Sequence, residues 1–446
     1  MNLPTPRRAL ITLCAVLGFL ATDALSKPPS PDITTVSINS AGTSTGDGVS
    51  QAAELSKNGR FVVFESIATN LTGDPDNGLS DVFVRDLKKG ITTLISKNAA
   101  GSAANGDSGR PSISYNGRFV AFSSRATDLV DGASAGGVDD VYLYDRRKQR
   151  MSLVSTNAAG TGGGNASSIR PSVNANGRFV AFESNATDLV SEDQDGAQDV
   201  YVRDMKKGVT ILVSVTPEGL PVDRRCSFGA SINASGRFVA FESDADALHP
   251  LDDNGGDCDI FVRDLKKGVT TLVSANATGT NAGNNYSSNP SISASGRFIS
   301  FVSPASDHID AADTNGLRDV FLRDVKKGTT QLVSIAAAGA TTGNSTSTVQ
   351  ARGSISANGR FVGFFSTATD LTSESTTSAN AFYRDTRKGT TFLVSGRDDA
   401  PAGFGNVNGP IRISGNGRVV VFMGTNANIA ETDTNAKNDV FVRRMR

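Results

Sequence analysis

The sequence contains little of the chemistry from which most catalytic and zinc centres are built. Two histidines, His249 and His308, and three cysteines occur among 446 residues. There is no Gly-x-Ser-x-Gly elbow, no zinc-type cluster of cysteine and histidine, and no glycine loop of the phosphate-binding kind. We expect both histidines to be solvated loop residues. Acidic residues are abundant, however, and a carboxylate pair at the right separation would suffice for acid–base chemistry.

Long apolar runs are also missing. The run Ala9–Ala21 is shorter than the roughly 20 residues that span a bilayer, and it follows the basic pair Arg7 and Arg8. This pattern, with small residues after it, is typical of a secretory signal. We therefore expect residues 1–26 to be a cleaved signal peptide, and residues 27–446 to form a soluble periplasmic or secreted protein.

Neither sign of charge is in excess. Without the first 26 residues, the chain carries 42 basic and 44 acidic residues, a net charge near −2. Such a balance gives no reason to expect nucleic acid as a partner.

The most informative feature is repetition. A Gly-Arg pair followed by Phe or Val recurs seven times, with 58 to 63 residues between successive copies. Each unit contains four short runs rich in Val, Ile, Phe and Thr, bounded by Gly, Asn, Asp and Ser, as in β-strands. Of the 23 phenylalanines, 19 fall in the second and third runs, which indicates sheets buried on both faces. The pattern predicts an all-β protein, a seven-bladed β-propeller with four-stranded antiparallel blades.

The two ends of the repeat array are complementary. Residues Ile33–Ser37 read as a lone fourth strand, and Asp439–Val442 read as a third strand with no fourth strand after it. We expect the N-terminal strand to join the three C-terminal strands and so to close the ring.

The repeat resembles that of a known family. The motif S-x-x-G-R-F-V-A-F-x-S, followed by D-V-F-V-R-D and a Lys-Lys-Gly turn, resembles the WD-like propeller repeat of TolB and its relatives, and the resemblance covers Ile33 to Arg446. It implies the propeller part only, without the N-terminal α/β domain of TolB.

In such blades the two hairpin turns lie on one face, the turn face, and the two long connections lie on the other, the loop face. On the loop face, several connections between second and third strands share one pattern. It consists of an acidic residue, an Asp or Asn two residues later, and an Asp four residues after that. Alternating carboxylate and amide oxygens suit Ca²⁺. The sequence predicts calcium sites at Asp193, Asp195 and Asp199; at Asp313, Asn315 and Asp319; and at Asp433, Asn435 and Asp439. A loop from Asp252 to Asp259 fits the pattern loosely. Tight turns without metal are the alternative, because Asp and Asn also bond to their own backbone.

The turn face collects Lys-Lys pairs, which predicts a basic ring. Charged turns keep β-proteins soluble and block edge association. The alternative is an anionic partner such as lipid headgroups or polysaccharide.

Two cysteines remain after processing. Cys226 leads into the first strand of the fourth blade, and Cys258 precedes its third strand. Both positions fall on the loop face of one blade, so we predict a Cys226–Cys258 disulfide, with two isolated thiols as the alternative.

Seven near-identical blades favour a non-enzymatic binding or interaction module, expected to be a calcium-stabilised monomer with a protein or glycan partner. The alternative is a hydrolase or lyase that acts on polysaccharide or peptide at the loop-side mouth of the channel, with the fourth blade as the place to look.

Overall fold

A computed structural model of the chain describes residues 33–73, 77–132, 137–222, 225–310, 313, 315–339, 341–349, 352–373, 376, 379–396, 406–425, 429–430 and 432–445. The predicted signal peptide lies outside these ranges. Within them, no helix is both long enough and apolar enough to cross a membrane.

The described strands form seven antiparallel sheets of four strands each, as predicted. The first strands of blades one to seven, which line a central channel, are β2 (Ser50–Leu55), β6 (Ser108–Ile113), β10 (Ser168–Val173), β14 (Ser227–Ile232), β18 (Ser288–Ile292), β22 (Ser347–Thr348) and β26 (Arg412–Ile413). The second strands are β3 (Phe61–Ser66), β7 (Phe119–Ser124), β11 (Phe179–Ser184), β15 (Phe238–Ser243), β19 (Phe298–Ser303), β23 (Phe361–Ser366) and β27 (Val419–Gly424). The third strands are β4 (Asp81–Asp86), β8 (Asp140–Asp145), β12 (Asp199–Asp204), β16 (Asp259–Asp264), β20 (Asp319–Asp324), β24 (Asn380–Asp385) and β28 (Asp439–Arg444). The fourth strands are β5 (Ile91–Leu94), β9 (Arg150–Leu153), β13 (Val209–Leu212), β17 (Val269–Leu272), β21 (Thr329–Leu332), β25 (Thr390–Leu393) and, for blade seven, β1 (Ile33–Thr35). One 3-10 turn, Asp246–Leu248, lies in blade four.

The N-terminal strand closes the ring, as predicted. Strand β1 pairs antiparallel with β28, with Thr34 opposite Val442. The pairing continues beyond the strand, because Val36 N donates to Val440 O at 2.7 Å. The last blade therefore contains both ends of the propeller.

The core lies between the blades. Aromatic rings on neighbouring second and third strands are buried in pairs, such as Phe64 and Phe83, whose centroids lie 5.9 Å apart. Apolar residues of one blade pack on the next: Val82 and Val84 of blade one share a cluster with Phe122 of blade two. Sheets are therefore buried on both faces, which explains why phenylalanine recurs so regularly in the sequence.

On the turn face, an ion pair joins the two hairpins of a blade. Arg60 donates to Asp86 through Nε (2.9 Å) and Nη2 (2.6 Å), and this contact lowers the pKa of Asp86 to about 2. The pair recurs as Arg118–Asp145, Arg178–Asp204, Arg237–Asp264, Arg297–Asp324 and Arg360–Asp385. These arginines are thus paired, whereas the neighbouring lysines such as Lys88 and Lys89 are exposed.

Backbone hydrogen bonds between the first hairpins link neighbouring blades around the channel. The bonds are Asn58 N to Tyr115 O, Ala175 N to Ala234 O, Ala234 N to Ala294 O, Ala294 N to Ala357 O, Ala357 N to Gly415 O, and Gly415 N to Lys57 O, at 2.7 to 3.3 Å. They tie the first hairpins of neighbouring blades together at the turn-face end of the channel.

Candidate functional site

Each third strand begins with an Asp or Asn that has a structural partner. A serine after the fourth strand donates from its hydroxyl to Oδ1 of that residue: Ser214 to Asp199 at 2.5 Å, Ser334 to Asp319 at 2.5 Å and Ser37 to Asp439 at 2.7 Å. The same contact occurs in blade two, whose acidic loop is largely lost, between Ser155 and Asp140. Only the second carboxylate oxygen is therefore available to a cation.

The structure brings together the three predicted calcium ligands of blade three. Carboxylate oxygens of Asp193, Asp195 and Asp199 lie within 4.8 Å of one another, a spacing that one ion can bridge. Asp199 is fully buried, and its Oδ2 has no hydrogen-bond partner among the described residues. Burial, together with the neighbouring carboxylates of Asp193 and Asp195, raises the pKa of Asp199 to about 7. The Tyr201 hydroxyl donates to Asp193. This triad has the geometry to hold a metal ion.

In blade five, the predicted ligands also lie together, but the amide has another role. Asn315 Nδ2 donates to Asp319 Oδ2 (3.0 Å) and to Gly343 O (2.9 Å), and its Oδ1 accepts from Leu317 N at 2.7 Å. The side chain is thus fully used as a brace of the turn. Asp313 keeps one buried oxygen with no partner in the described chain.

The blade-seven loop is similar. Asn435 Nδ2 donates to Gly46 O at 2.8 Å, and its Oδ1 accepts from Lys437 N. Both oxygens of Asp433 and Oδ2 of Asp439 are buried and have no partner within the described ranges. Metal binding in these three loops stays a prediction. The structure favours blade three, because there a carboxylate, Asp195, stands in place of the bracing amide.

The first strands carry a feature that sequence reasoning missed. A bulge interrupts several of them near the loop face. The bulge residues Ala52, Arg110, Arg170 and Asn289 have φ between 49° and 59° although none is glycine. Such backbone is costly for residues with a Cβ and is concentrated at functional sites.

Glutamates of neighbouring blades hold these bulges. Gly229 N donates to Glu183 Oε1, and Asn289 N donates to Glu242 Oε2, both at 2.9 Å. Burial raises the pKa of both glutamates, that of Glu242 to about 7. These side chains fix the shape of the channel mouth.

The bulges and the nearby loops enclose a cavity of about 630 Å³ at the loop-side mouth, which we call the funnel. Its charged wall consists of five arginines and two glutamates: Arg110, Arg170, Arg318, Arg352, Arg412, Glu183 and Glu242. One glutamate is already paired, since Glu183 Oε2 lies 3.3 Å from Arg170 Nη1. The funnel therefore has an excess of positive charge.

Deeper in the channel, positive charge is buried. Arg412 is 5% exposed, and its Nε and Nη1 have no acceptor in the described part of the chain. Burial lowers its pKa to about 9. Lys57 donates from Nζ to Ile355 O at 3.0 Å, and burial lowers its pKa to about 8. Arg352 of blade six donates across the channel to the carbonyl of Pro171 in blade three.

The repeated Arg-Pro-Ser and Asn-Pro-Ser segments at residues 110–112, 170–172 and 289–291 are the sequence signal for the funnel. The sequence of these segments does not by itself reveal the left-handed bulge that directs the first residue of each segment into the channel. Contacts with neighbouring blades set that backbone conformation.

The two cysteines are free thiols in the structure. Their neighbours Ser227 and Asp259 pair with Ser243 from opposite sides, so the cysteines flank the end of β15. Two strand spacings are about 9.6 Å, whereas a disulfide needs Cα atoms roughly 4.4 to 6.8 Å apart. The disulfide stays a prediction that requires this end of the blade to rearrange.

The expectation of two solvated histidines is wrong for His308, which is 1% exposed. Its ring lies against Phe301 and Phe321, and burial lowers its pKa to about 4. His249 is half-buried, and its Nδ1 accepts from Leu251 N. Neither histidine lines the funnel.

No family model and no curated protein match the chain. Solved structures with a similar fold include an oligogalacturonate lyase in complex with manganese, at a TM-score of 0.51 and 10% identity, covering 93% of this chain and 96% of that one. Another is the propeller domain of the Trilobed protease from Pyrococcus furiosus, at a TM-score of 0.50 and 12% identity, covering 89% and 94%. That domain has an open velcro topology, whereas here β1 pairs with β28.

TolB from Acinetobacter baumannii is also similar, at a TM-score of 0.39 and 13% identity, covering 67% of this chain and 62% of that chain. The seven four-stranded sheets make the chain a seven-bladed β-propeller. Likeness at these identities concerns the fold alone.

Proposed function

We propose that the protein is an exported, non-enzymatic binding propeller whose funnel takes an anionic ligand. The observation that carries the proposal is the wall of five arginines around a cavity of about 630 Å³. The structure holds several of these side chains on strained bulges, a cost that folding stability alone does not explain.

Two guanidinium nitrogens of Arg412 at the bottom of the funnel, Nε and Nη1, have no acceptor among the described residues, which supports an anionic ligand. A buried guanidinium without acceptors is costly, and a bound carboxylate or phosphate would supply charge-assisted hydrogen bonds. We favour a carboxylated oligosaccharide, because its repeated carboxylates match several arginines, and an oligogalacturonate lyase shares the fold.

The test is titration calorimetry with oligogalacturonate and with a neutral oligosaccharide of equal length. We expect binding of the acidic chain only, weakened by salt. Arg110→Gln and Arg318→Gln should each weaken binding about tenfold, the value of one charge-assisted contact at roughly 1.4 kcal/mol. Arg150→Gln on the turn face is the matched control. A larger effect of Arg150→Gln would move the site to the basic turn face, and equal binding of the neutral chain would reject the proposal.

A hydrolase or lyase acting on polysaccharide or peptide is the second candidate, and one observation favours it. The Glu242 carboxyl lines the funnel and is 6% exposed, and burial raises its pKa to about 7, the range of a general acid or base. Product formation during the same titrations, abolished by Glu242→Gln with binding retained, would establish the enzyme.

Export is tested by N-terminal sequencing. Protein recovered from the periplasm or the medium should begin at Lys27. Protein retained in the cytoplasm with an intact N-terminus would contradict both the signal peptide and the proposed location.

Calcium in blade three is the proposed stabilising cofactor. We expect Ca²⁺, and not Mg²⁺, to raise the melting temperature of chelated protein, because an ion that binds only the folded state stabilises it by about 2.7 kcal/mol at a hundredfold excess over Kd. Blades five and seven should bind more weakly.

Asp195→Asn is the sharpest variant for this site, because it places in blade three the amide that braces blade five. The variant should fold and lose most of the calcium effect. The Asp47→Asn variant, which changes an exposed acid outside these loops, is the control. An undiminished calcium effect in Asp195→Asn would return the loop to a metal-free turn.

A further inference from the structure

Blade four buries a carboxylate side chain between its second and third strands. Asp252 lies in the connection between β15 and β16 and is 6% exposed. Neither of its oxygens has a hydrogen-bond partner among the residues that the structure describes. Burying an ionised carboxylate in this way is strongly unfavourable unless something of opposite charge accompanies it.

The surroundings of Asp252 supply further oxygens. Its carboxyl group lies against that of Asp259. Asp259 accepts from Ser274 through Oδ1 (2.5 Å) and from Asn254 Nδ2 through Oδ2 (2.8 Å). Oδ1 of Asn254 is buried and accepts nothing within the described chain. Two carboxylates and one amide oxygen therefore share a site.

This amide differs from its counterparts. In blades five and seven, Oδ1 of Asn315 and Asn435 accepts a backbone N–H two residues on. In blade four, the corresponding donor, Gly256 N, binds Asp246 Oδ1 instead, at 3.1 Å. Oδ1 of Asn254 is consequently free to act as a ligand.

A second difference concerns the acid. Thr342 of blade five contributes a hydroxyl to Asp313. The bridges Ile335–Thr342 and Ala275–Ala282 occupy equivalent positions, so Ala282 stands where blade five has the hydroxyl. Asp252 therefore lacks the partner that Asp313 has.

The described charged side chains that act on this carboxyl pair are negative, while the Arg225 guanidinium lies beside Gly256 and Asp244. Besides Asp252 and Asp259, the carboxylates of Asp246, Asp253 and Asp257 lie close enough to act on this pair. A shared proton or a bound cation would relieve the repulsion.

We infer that Asp252, Asn254 and Asp259 form a second divalent-cation site, in blade four, suited to Ca²⁺. Carboxylate and amide oxygens are the ligands of this hard cation. An ion between them would neutralise the buried pair and satisfy oxygens that no protein donor reaches.

The ion would fasten the loop of blade four to the connection that leads into blade five. Ala282 N donates to Leu251 O at 2.8 Å, and Asn281 Nδ2 donates to Asp253 Oδ2 at 2.5 Å. Leu251 and Asp253 flank the proposed ligand Asp252, so ion binding should slow amide exchange at Ala282.

The test counts ions by equilibrium dialysis with ⁴⁵Ca²⁺ at pH 7.5, in the Asp195→Asn background, which removes the blade-three triad. Adding Asp252→Asn should lower the number of bound ions by one. Adding Asp47→Asn, which changes an exposed acid outside this loop, should leave the number unchanged. Chelated Asp252→Asn protein should also melt higher than its parent, because it no longer buries the charge.

Equal ion numbers with and without Asp252→Asn would overturn the inference and assign the carboxyl pair to a shared proton. Ala282→Thr is the second variant, since it supplies the hydroxyl found in blade five. It should weaken calcium binding at this site, and an unchanged affinity would also count against the site. The blade-three triad is disrupted in all these proteins, so their ion numbers test the blade-four site alone. The blade-three site is tested separately, by the effect of Asp195→Asn on the otherwise wild-type protein.

Discussion

The Ser37 hydroxyl donates to Oδ1 of Asp439 at 2.7 Å across a sequence separation of 402 residues. Val440 N in turn donates to the same hydroxyl at 3.0 Å. Ser96 and Asp81 make the corresponding contact within blade one. The N-terminal segment thus replaces the fourth strand of blade seven in its side-chain contacts as well as in its backbone pairing, which makes ring closure part of the common blade design.

Removal of residues 33–37 should destabilise the propeller. Ile33 and Val36 are 3% and 0% exposed, and their loss uncovers the edge of β28, which invites edge-to-edge association. We expect a lower melting temperature and higher-order species in size-exclusion chromatography. A chain that begins at residue 33 is the control. Unchanged melting and a monomeric elution volume for the shorter chain would contradict closure by β1.

Two glycines in equivalent Asn-Gly turns should differ in their tolerance of alanine. Gly117 and Gly59 both have positive φ, 75° and 72°, so alanine should cost about 1 kcal/mol at either site. A Cβ on Gly117 would also overlap the ring of Phe61, whereas at Gly59 the nearest atom, Cγ2 of Val419, is 3.1 Å away. Overpacking should add roughly 1 to 3 kcal/mol at Gly117. Urea unfolding of the two variants measures the difference in unfolding free energy. Equal losses of stability would show that the positive φ of the backbone, and not overpacking against Phe61, accounts for the cost.

The fold could be predicted from the sequence because its determinants are local and repeated. Strand composition and turn residues recur at fixed spacing, and each end of the repeat array carries an incomplete unit. The structure confirms the strands, the turns and the closure of the ring. The acidic loops could be located for the same reason. The sequence ranks blade three first because all three of its residues are acidic, but Asn315 and Asp195 occupy the same place in the pattern, and only the hydrogen bonds show that Asn315 is a brace.

The funnel was not predictable in this way. Its arginines come from different blades, and a bulge conformation that neighbouring glutamates stabilise determines where they lie. The blade-four loop fits the sequence pattern only loosely, because one additional residue separates Asn254 from Asp259. The prediction for His308 was wrong because its segment, although a loop in the sequence, packs into the core. His308 occupies the place that Leu71 and Leu189 fill in other blades.

Replacing His308 by leucine should remove a pH-dependent loss of stability. The ordinary histidine pKa is 6.5, and burial lowers that of His308 to about 4, so the neutral ring is the folded form. Above pH 6.5 both states are neutral and the effect is absent. As the pH falls from 6.5 towards 4, the unfolded chain gains a proton that the folded chain refuses. The free energy of unfolding should therefore fall by about 2 kcal/mol at pH 5.

Leucine occupies this position in other blades and cannot titrate, so His308→Leu should match the wild-type protein near pH 8 and exceed it increasingly at lower pH. The contacts it gives up, to Ser287 Oγ and Ala275 O, are both long at 3.3 Å. Urea unfolding at pH 8, 6.5 and 5 measures the difference, in which the titration of all other groups cancels. The half-buried His249 provides the control, since His249→Leu should show a smaller pH dependence. A constant difference between His308→Leu and wild type across this range would mean that the buried ring takes up its proton as readily as the unfolded chain does.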